Sequence, residues 1–177
     1  MREACGFSLV EQSVVLALLA ILVCMATPGF VQLRRQLQLT EAARNLHAAL
    51  HQARAQAASR GLPVVLCQTD AGGRCSAGGS VGAGWRSFVK PGASVAGFFE
   101  AGDLPLAVQS LPGRVQLYAT RPALTYWPVP RAAATGSFVF CDADGLVPPR
   151  AIIVSQTGRP RVSDVAADGS PLRCPPP

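Results

Sequence analysis

Charged and aromatic residues are scarce in this sequence of 177 residues. Charged side chains make up 15% of the chain and aromatic side chains 6%, and Lys90 is the only lysine. A charged fraction this small is low for a soluble protein. The formal net charge is nevertheless +6, and arginine supplies nearly all of the positive charge. An arginine-dominated excess suits phosphate groups or other acidic partners, and the length leaves room for one domain with a core plus an extension.

Motifs for catalysis and for cofactor binding are missing or incomplete. The spacing of the six cysteines contains no C-x-x-C, which excludes zinc-ribbon and thioredoxin-like sites. Residues 78–82 match G-x-S-x-G, but they lack the flanking strand and helix of a nucleophile elbow. Asp142 and Asp144 lack the twelve-residue calcium pattern, so a tight turn is expected there. No phosphate loop or dinucleotide fingerprint occurs, and we therefore expect neither an enzyme nor a cofactor site.

The only two histidines, His47 and His51, are four residues apart, a spacing that can bind a metal ion on a helix. No H-E-x-x-H motif and no third ligand follow nearby in the sequence. We therefore expect no metal site, and we expect both rings to lie on a solvated helix face.

The abundant feature is apolar sequence near the N-terminus. Residues 14–26 are apolar without interruption, and Glu11 is the only charged residue between Phe7 and Phe30. About 20 apolar residues are enough to span a bilayer, and a charge inside such a run is costly enough that it usually has a function or a partner. Locally, Ser8 and Glu11 fit a capping box, in which the carboxylate bonds back to the backbone N–H of Ser8.

Three interpretations of this apolar run are open on the residues alone. A cleaved secretory signal would use the small-residue site at 24–26, although Arg2 and Glu3 cancel the positive charge with which such a signal begins. A lipoprotein signal would need a small residue before Cys24, where a valine stands. In the third interpretation the helix is retained, and the cut lies before the apolar run, after Gly6.

The stretch GFSLVEQSVVLALLAILVCMATP, residues 6–28, resembles the class III signal of type IV pilins and type II secretion pseudopilins. In that family a prepilin peptidase cuts after the glycine that matches Gly6 and methylates the new N-terminus, here Phe7. The family's glutamate at the fifth mature position matches Glu11, and its helix-kinking proline matches Pro28. The resemblance implies that Glu11 pairs with the terminal amine of a neighbouring pilin. It also implies a single-pass inner-membrane protein with a periplasmic head, assembled into an extracellular pilus or a periplasmic pseudopilus.

Beyond Pro28 the helix is expected to continue as an amphipathic segment that packs on a globular head. Apolar residues recur at the i, i+4, i+7 spacing of one helix face. They are Leu39, Ala43, Leu46, Leu50, Ala53 and Ala57. Gly61 and Pro63 end the helix, which would be roughly 80 Å long. We therefore divide the chain into a leader peptide (1–6), a membrane and assembly helix (7–30), an amphipathic helix (31–61) and a β-rich head (62–177).

Short β-like runs between Gly- and Pro-rich turns follow from residue 62 onward. The expected strands are 63–68, 85–89, 114–119, 124–129, 136–141, 150–155 and 159–163. Many short strands of this kind favour a sandwich of antiparallel sheets. A helix followed by a sandwich, with cysteines in VLC and FVFC, resembles the FimT/GspH branch of minor pilins and pseudopilins. The expected fold class is α+β, with a long N-terminal helix packed on an antiparallel β-sandwich head.

Four cysteines lie in the polar remainder of the chain, an even number that is typical of disulfides in an exported domain. Residues 67–75 have the form of a short closed loop, so Cys67 is expected to pair with Cys75. Cys141 and Cys174 would then tie the C-terminal tail to the body of the head. Two other pairings are open on the sequence alone.

The candidate binding site is the segment SQTGRPRVS, residues 155–163. Together with Arg150 it carries three positive charges and no acid. Arg159 and Arg161 are two residues apart, so in an extended chain they project to the same side, and Pro160 stiffens the backbone between them. Two guanidinium groups on a rigid tip suit backbone phosphates, whose contacts give affinity without sequence specificity.

The alternative is a solvated hairpin whose arginines pair with Asp164 or Asp168. FimT-type minor pilins carry a C-terminal G-R-x-R motif associated with DNA binding in natural transformation, and residues 158–161 match it at every fixed position. The resemblance therefore implies that Gly158, Arg159 and Arg161 form the DNA-binding site. Arg150 and Arg121 are further candidates for DNA binding, although nothing in the sequence shows which way their side chains point.

Three functions are open at this point. The first is a minor pilin of a type IV pilus that binds double-stranded DNA and contributes to DNA uptake. The second is a structural minor pilin that initiates or caps the fibre. The third is a type II secretion pseudopilin, whose fibre drives protein export.

Overall fold

The computed structural model describes residues 8–76, 81–92, 98–128 and 135–174, with the backbone alone at positions 25, 26 and 28. Gly6 and Phe7, at the expected cleavage site, lie outside these residues. Residues 78–80 of the G-x-S-x-G match also lie outside them. The interpretation of both motifs therefore stays a prediction.

The N-terminal helix, α1, is one continuous element, Leu9–Arg60. It begins after Ser8, whose backbone is extended and whose carbonyl accepts a hydrogen bond from the backbone N–H of Gln12 at 3.1 Å. The Ser8 side chain makes no capping hydrogen bond, so the capping-box prediction is wrong. The main chain alone closes the first turn, and Glu11 lies there as a carboxylate near the positive end of the helix dipole.

The helix ends where the sequence predicts, at Gly61. This residue has a left-handed φ of 67°, which glycine adopts without steric cost, and its N–H bonds to the carbonyl of Ala57 at 3.1 Å. The second half of α1 buries one face, which confirms the predicted apolar stripe. Its buried residues are Leu39, Ala42, Ala43, Leu46, Leu50, Ala53 and Ala57.

The head consists of short antiparallel strands in two four-stranded sheets. The strands are β1 (Val64–Thr69), β2 (Gly84–Val89), β3 (Leu104–Ser110), β4 (Val115–Ala119), β5 (Ala123–Tyr126), β6 (Gly136–Asp142), β7 (Arg150–Val154) and β8 (Pro160–Ser163). The first sheet has the order β3-β2-β1-β5, and the second has the order β4-β6-β7-β8. All of the strand pairs are antiparallel.

The sequence predicts every one of these strands except β3. This strand lies at the edge of the first sheet, and six of its seven residues are exposed. Leu104, Leu106 and Val108 do recur at the two-residue period of a strand, but a proline lies between them, and a proline inside such a run argues against a strand. Pro105 lies within it, and an edge strand tolerates the missing N–H.

The helix and both sheets share one hydrophobic core. Its largest fully buried side chains include Leu46 and Leu50 of α1, Leu66 of β1, Phe140 of β6 and Ile152 of β7. Trp85 of β2 joins the two sheets by packing edge-on against Phe140, with the ring centroids 6.5 Å apart. The α+β class, with a long helix packed on antiparallel sheets, is thereby confirmed.

Candidate functional site

The arginine-bearing segment forms the turn between β7 and β8, the last two strands of the second sheet. The Gly158 N–H donates to the carbonyl of Ser155 at 2.8 Å, and the Ser155 N–H donates to the carbonyl of Arg159 at 3.1 Å. Gly158 has a φ of 73°, a left-handed conformation that suits glycine. The glycine of the G-R-x-R match is thus the residue that lets the chain reverse.

A buried tyrosine anchors this turn from the first sheet. The hydroxyl of Tyr126, on β5, donates to the carbonyl of Gly158 at 3.2 Å. Burial raises the pKa of Tyr126 to about 12, although the positive charge of Arg54 acts in the opposite direction. The hydroxyl therefore keeps its proton, and continues to donate, throughout the physiological range. Nothing in the sequence singles out Tyr126, because its partner is a backbone carbonyl 32 positions away.

Arg159 and Arg161 are both exposed, on either side of the buried Pro160. Arg161 lies opposite Ile153 in the β7–β8 register, and the bond from Ser155 extends the pairing to Arg159. Alternate residues of a strand project to the same face, so both guanidinium groups leave the sheet on one side. Their Cα atoms are separated by about 7 Å of extended chain.

The two acids that were considered as partners for these arginines are engaged elsewhere. Asp164 pairs with Arg150, Oδ1 to Nη1 at 3.7 Å. Asp168 accepts hydrogen bonds from the hydroxyl and the N–H of Ser170, and these bonds lower the pKa of its carboxyl group. Across the described parts of the chain, neither Arg159 nor Arg161 makes an ion pair. Both charges are therefore available to an external anion.

Arg150, a further candidate for DNA binding, does not project to the same side as Arg161, and the proposed site does not include it. It lies at the start of β7, three positions before Ile153, which is the register partner of Arg161. Because three is an odd number of residues, Arg150 projects to the opposite face of the sheet from Arg161. The pair with Asp164 further reduces its free charge.

Arg121 is also distant from the turn. It precedes β5, whose far end carries Tyr126, so five residues of extended chain separate Arg121 from the anchor, about 17 Å. Arg74 lies at the same remote end, because the neighbouring Cys75 forms a bridge with Thr69 at the end of β1. Both arginines are exposed, and Arg74 is paired with Asp70, Nε to Oδ2 at 3.5 Å.

His47 departs from the expectation of a solvated ring. It is partly buried, and its Nε2 lies 3.2 Å from the carbonyl oxygen of Pro160. A carbonyl oxygen only accepts, so Nε2 carries the proton in this contact. His51 is exposed, as expected, and its ring lies edge-on to that of His47 with centroids 4.7 Å apart. Among the described residues, no group of three or more potential metal ligands occurs.

The turn lies at the end of the head that is remote from the apolar half of α1. Arg35, early in the packed half of the helix, bonds to Asp142 at the end of β6, Nη1 to Oδ1 at 3.0 Å. His47 contacts Pro160 twelve residues later, a rise of about 18 Å along the helix axis. The arginine tip therefore points away from the membrane-length segment.

The turn expected at Asp142 and Asp144 is confirmed at the near end. The Gly145 N–H donates to the carbonyl of Asp142 at 3.0 Å. Asp144 pairs with both Arg35 and Arg114, and the bond from Arg35 is the main reason that its pKa is lowered. This cluster fastens the helix to the second sheet.

The first half of α1 is long and apolar enough to cross a membrane, and its most apolar stretch buries none of its described side chains against the head. Its large apolar residues, from Leu9 to Val23, are half exposed or more. Glu11 is exposed within this segment. Its pairing with a neighbouring subunit stays a prediction.

Two disulfides lie in the head. Cys67 is bonded to Cys75, and Cys141 to Cys174, which are the pairs expected from the sequence. Cys24 is free and exposed on α1. The second disulfide joins β6 to the C-terminal tail, so β7, the arginine turn and β8 all lie between its two ends.

Comparison with known proteins agrees with this architecture. The model of a family described as type II transport protein GspH matches residues 42–158. No curated protein matches the chain in sequence. The structure is similar to the type IV minor pilin FimU of Pseudomonas aeruginosa strain PAO1, with a TM-score of 0.52 at 19% identity over 73% of this chain and 90% of that one. A second crystal form of FimU gives 0.50 at 19% identity over 71% and 92%. At this identity the likeness shows the fold.

Proposed function

The chain belongs to the GspH family of type II transport proteins, and we propose that it is a minor pilin of a type IV pilus that binds double-stranded DNA through the arginine turn. In this role it contributes to DNA uptake, with other pilins as its partners in the fibre. The proposal assigns the chain a binding and structural role and no catalytic one. The membrane-length half of α1 would anchor it in the inner membrane before assembly.

The observation that carries the proposal is the pair of exposed, unpaired guanidinium groups on Arg159 and Arg161. Most arginines near carboxylates in this head are ion-paired, as Arg35, Arg114 and Arg150 are. The turn instead carries two cations on one side of the sheet, at the end of the head that a fibre anchored by α1 would expose. Guanidinium forks of this kind match phosphate oxygens in charge and geometry.

The turn is also rigid enough to hold the two cations in place. The Gly158 carbonyl accepts a hydrogen bond from the hydroxyl of Tyr126, and the Arg159 N–H donates one to the Ser155 hydroxyl at 3.3 Å. A preorganised site loses less conformational freedom when it binds. Because both groups would contact phosphates and no base edge, binding is expected to be independent of sequence.

A type II secretion pseudopilin is the second candidate, because the matching family model describes a transport protein. DNA binding is not part of protein export, so a subunit of an export fibre is not expected to bind duplex DNA through this tip. DNA binding by the turn therefore distinguishes the two candidates, and it also distinguishes a DNA-binding pilin from a purely structural one.

The test uses the full chain in a non-ionic detergent and measures its affinity for unrelated duplex DNA sequences. The wild type is expected to bind all of them alike, in roughly the micromolar to sub-millimolar range of non-specific contacts. The double variant Arg159→Ala/Arg161→Ala is expected to lose about tenfold or more in affinity, because two charge-assisted phosphate contacts disappear.

The control is Arg74→Ala/Arg121→Ala, which removes the same formal charge from the remote end of the head, one of the two charges being paired there with Asp70. Its affinity should stay within about twofold of the wild type, because non-contacting charges are largely screened at physiological salt. Circular dichroism of both variants should match the wild type. Equal losses of affinity in the two double variants would mean that only the net charge matters, and would reject the site. If the wild type did not bind DNA at all, the structural pilin or the pseudopilin would be favoured.

A further inference from the structure

Four basic residues form a stripe along one side of α1. Arg44, His47, His51 and Arg54 follow one another at intervals of three, four and three residues. In a helix with 3.6 residues per turn this spacing places them on one side. Three of them are exposed and His47 is partly buried, since the stripe borders the face that packs on the sheets. We refer to these four residues as the basic stripe.

The basic stripe adjoins the arginine turn. In antiparallel pairing, the carbonyls of alternate residues point to the same neighbour. The Arg159 carbonyl points to β7, so that of Pro160 points outward from the sheet edge, where it meets Nε2 of His47. Further along the helix, Arg54 is close enough to act electrostatically on Tyr126, whose hydroxyl holds Gly158. The stripe therefore approaches the turn at two points.

The charged and titratable groups around the two histidines are predominantly positive. On α1 they are Arg44 and Arg54, with Glu41 one turn before Arg44 at the border of the stripe. From the second sheet, the Pro160 carbonyl meets His47, and Arg159 and Arg161 flank Pro160 but project from the opposite face of β8. From the first sheet, the buried Tyr126 lies close enough to Arg54 to feel its charge. The described ion pairs place no carboxylate on either histidine.

We propose that the basic stripe extends the DNA-binding surface of the turn along α1, and that protonation of His51 makes this surface bind DNA more tightly in mildly acidic solution. The inference rests on the proposed function, because the stripe adds contacts to the same ligand. From Arg44 to Arg54 it is about 15 Å long, or roughly four base-pair steps of a duplex.

The direction of the pH effect follows from the charges. In the free protein, burial and the charges of His47 and Arg54 lower the pKa of His51, so its ring is neutral at neutral pH. A bound phosphate favours the charged form and raises the pKa of a nearby imidazole. DNA binding therefore takes up protons, and affinity rises as pH falls from the DNA-bound pKa toward the free one. The arginines stay charged throughout and contribute no pH dependence.

The test compares the affinity of the full chain for a duplex DNA at about pH 8 and about pH 5.5, above the range in which carboxylates titrate. The wild type is expected to bind about two- to tenfold more tightly at the lower pH, as expected for one or two exposed ionic contacts. The salt dependence of binding should also steepen by about one phosphate contact.

Two variants of the exposed histidine separate charge from structure. His51→Gln should lose much of the pH effect without weakening binding at about pH 8. His51→Arg should bind at about pH 8 as the protonated wild type does, because its charge is permanent. Gln52→Arg adds the same charge on a different helix face and should change the affinity by less than about twofold.

The outcomes distinguish this inference from the proposed function. Binding that depends on Arg159 and Arg161 but not on pH would overturn the role of the stripe and leave the turn intact. The same holds if His51→Arg has no more effect than Gln52→Arg. Binding that is unchanged in Arg159→Ala/Arg161→Ala would instead reject the proposed function itself.

Discussion

At the scale of single residues, Gly158 controls the geometry of the arginine turn. It is buried, it has a φ of 73°, and its carbonyl accepts a hydrogen bond from the hydroxyl of Tyr126. Any other L-residue at this position would adopt the left-handed conformation at a cost of about 1–2 kcal/mol. The glycine therefore sets the direction of Arg159, its neighbour in the chain, as well as the stability of the hairpin.

We expect Gly158→Ala to lower the free energy of unfolding by about 1–2 kcal/mol and to weaken DNA binding at the same time, because the strain is relieved by moving the turn. Chemical denaturation and DNA titration of the full chain in detergent measure the two effects.

Gly145→Ala is the control for this substitution. Gly145 has a φ of 67°, an added Cβ there would meet open space, and it lies at the opposite end of the second sheet. It should show a similar loss of stability with no loss of affinity. If both variants weakened binding equally, the turn would have no special role.

At the scale of elements, the two disulfides of the head close loops of very different length. Cys67–Cys75 closes a sequence separation of 8, within a turn at the end of β1, whereas Cys141–Cys174 closes a separation of 33 that contains β7 and β8. A disulfide limits the freedom of the unfolded chain, and the limit grows with the loop that it closes. The longer bridge therefore holds together the part of the head that carries the arginines.

Replacing Cys141 and Cys174 together by alanine is expected to cost about 4 kcal/mol of unfolding free energy, against about 2.5 kcal/mol for Cys67 and Cys75, in the chain-entropy model. Denaturant titrations of the two double variants provide the comparison. A larger loss from the short loop would mean that native contacts of Cys67, and not loop closure, determine the effect.

Much of this fold can be predicted from the sequence, because buried helices and strands repeat their apolar residues at a fixed spacing. The apolar stripe of α1 and the buried strands repeat at helical or strand intervals, and their positions follow. In β3 the alternation of Leu104, Leu106 and Val108 is interrupted by Pro105, which argues against a strand, and only the position at the sheet edge makes the proline tolerable. Gly61 ends the helix as predicted, since a glycine before a proline-containing segment is a local signal.

The site is less predictable, because its contacts join distant parts of the chain. The G-R-x-R match locates the turn, but only the strand register shows that Arg150 projects to the other face. Similarly, the spacing of His47 and His51 indicates a shared helix side, while the Pro160 carbonyl that meets His47 lies 113 positions away. Tertiary contacts of this range have no local signature.

At the scale of the whole molecule, charge and apolar surface lie at different ends. The first half of α1 exposes its apolar side chains and would be covered by lipid or by neighbouring subunits. Arg35 and its acidic partners fasten the helix to the near end of the head. The unpaired arginines of the turn lie at the far end, where a fibre would present them to external DNA.

The central claim, that Arg159 and Arg161 bind DNA phosphates, is tested most directly by the salt dependence of DNA binding. The logarithm of the binding constant should fall linearly with the logarithm of salt concentration, with a slope of about −0.9 for each neutralised phosphate. The slope of Arg159→Ala/Arg161→Ala should be shallower than that of the wild type by about two contacts, and that of Arg74→Ala/Arg121→Ala should be unchanged. If the wild type and Arg159→Ala/Arg161→Ala gave the same slope, the two arginines would not contact the DNA backbone, and the account would be wrong.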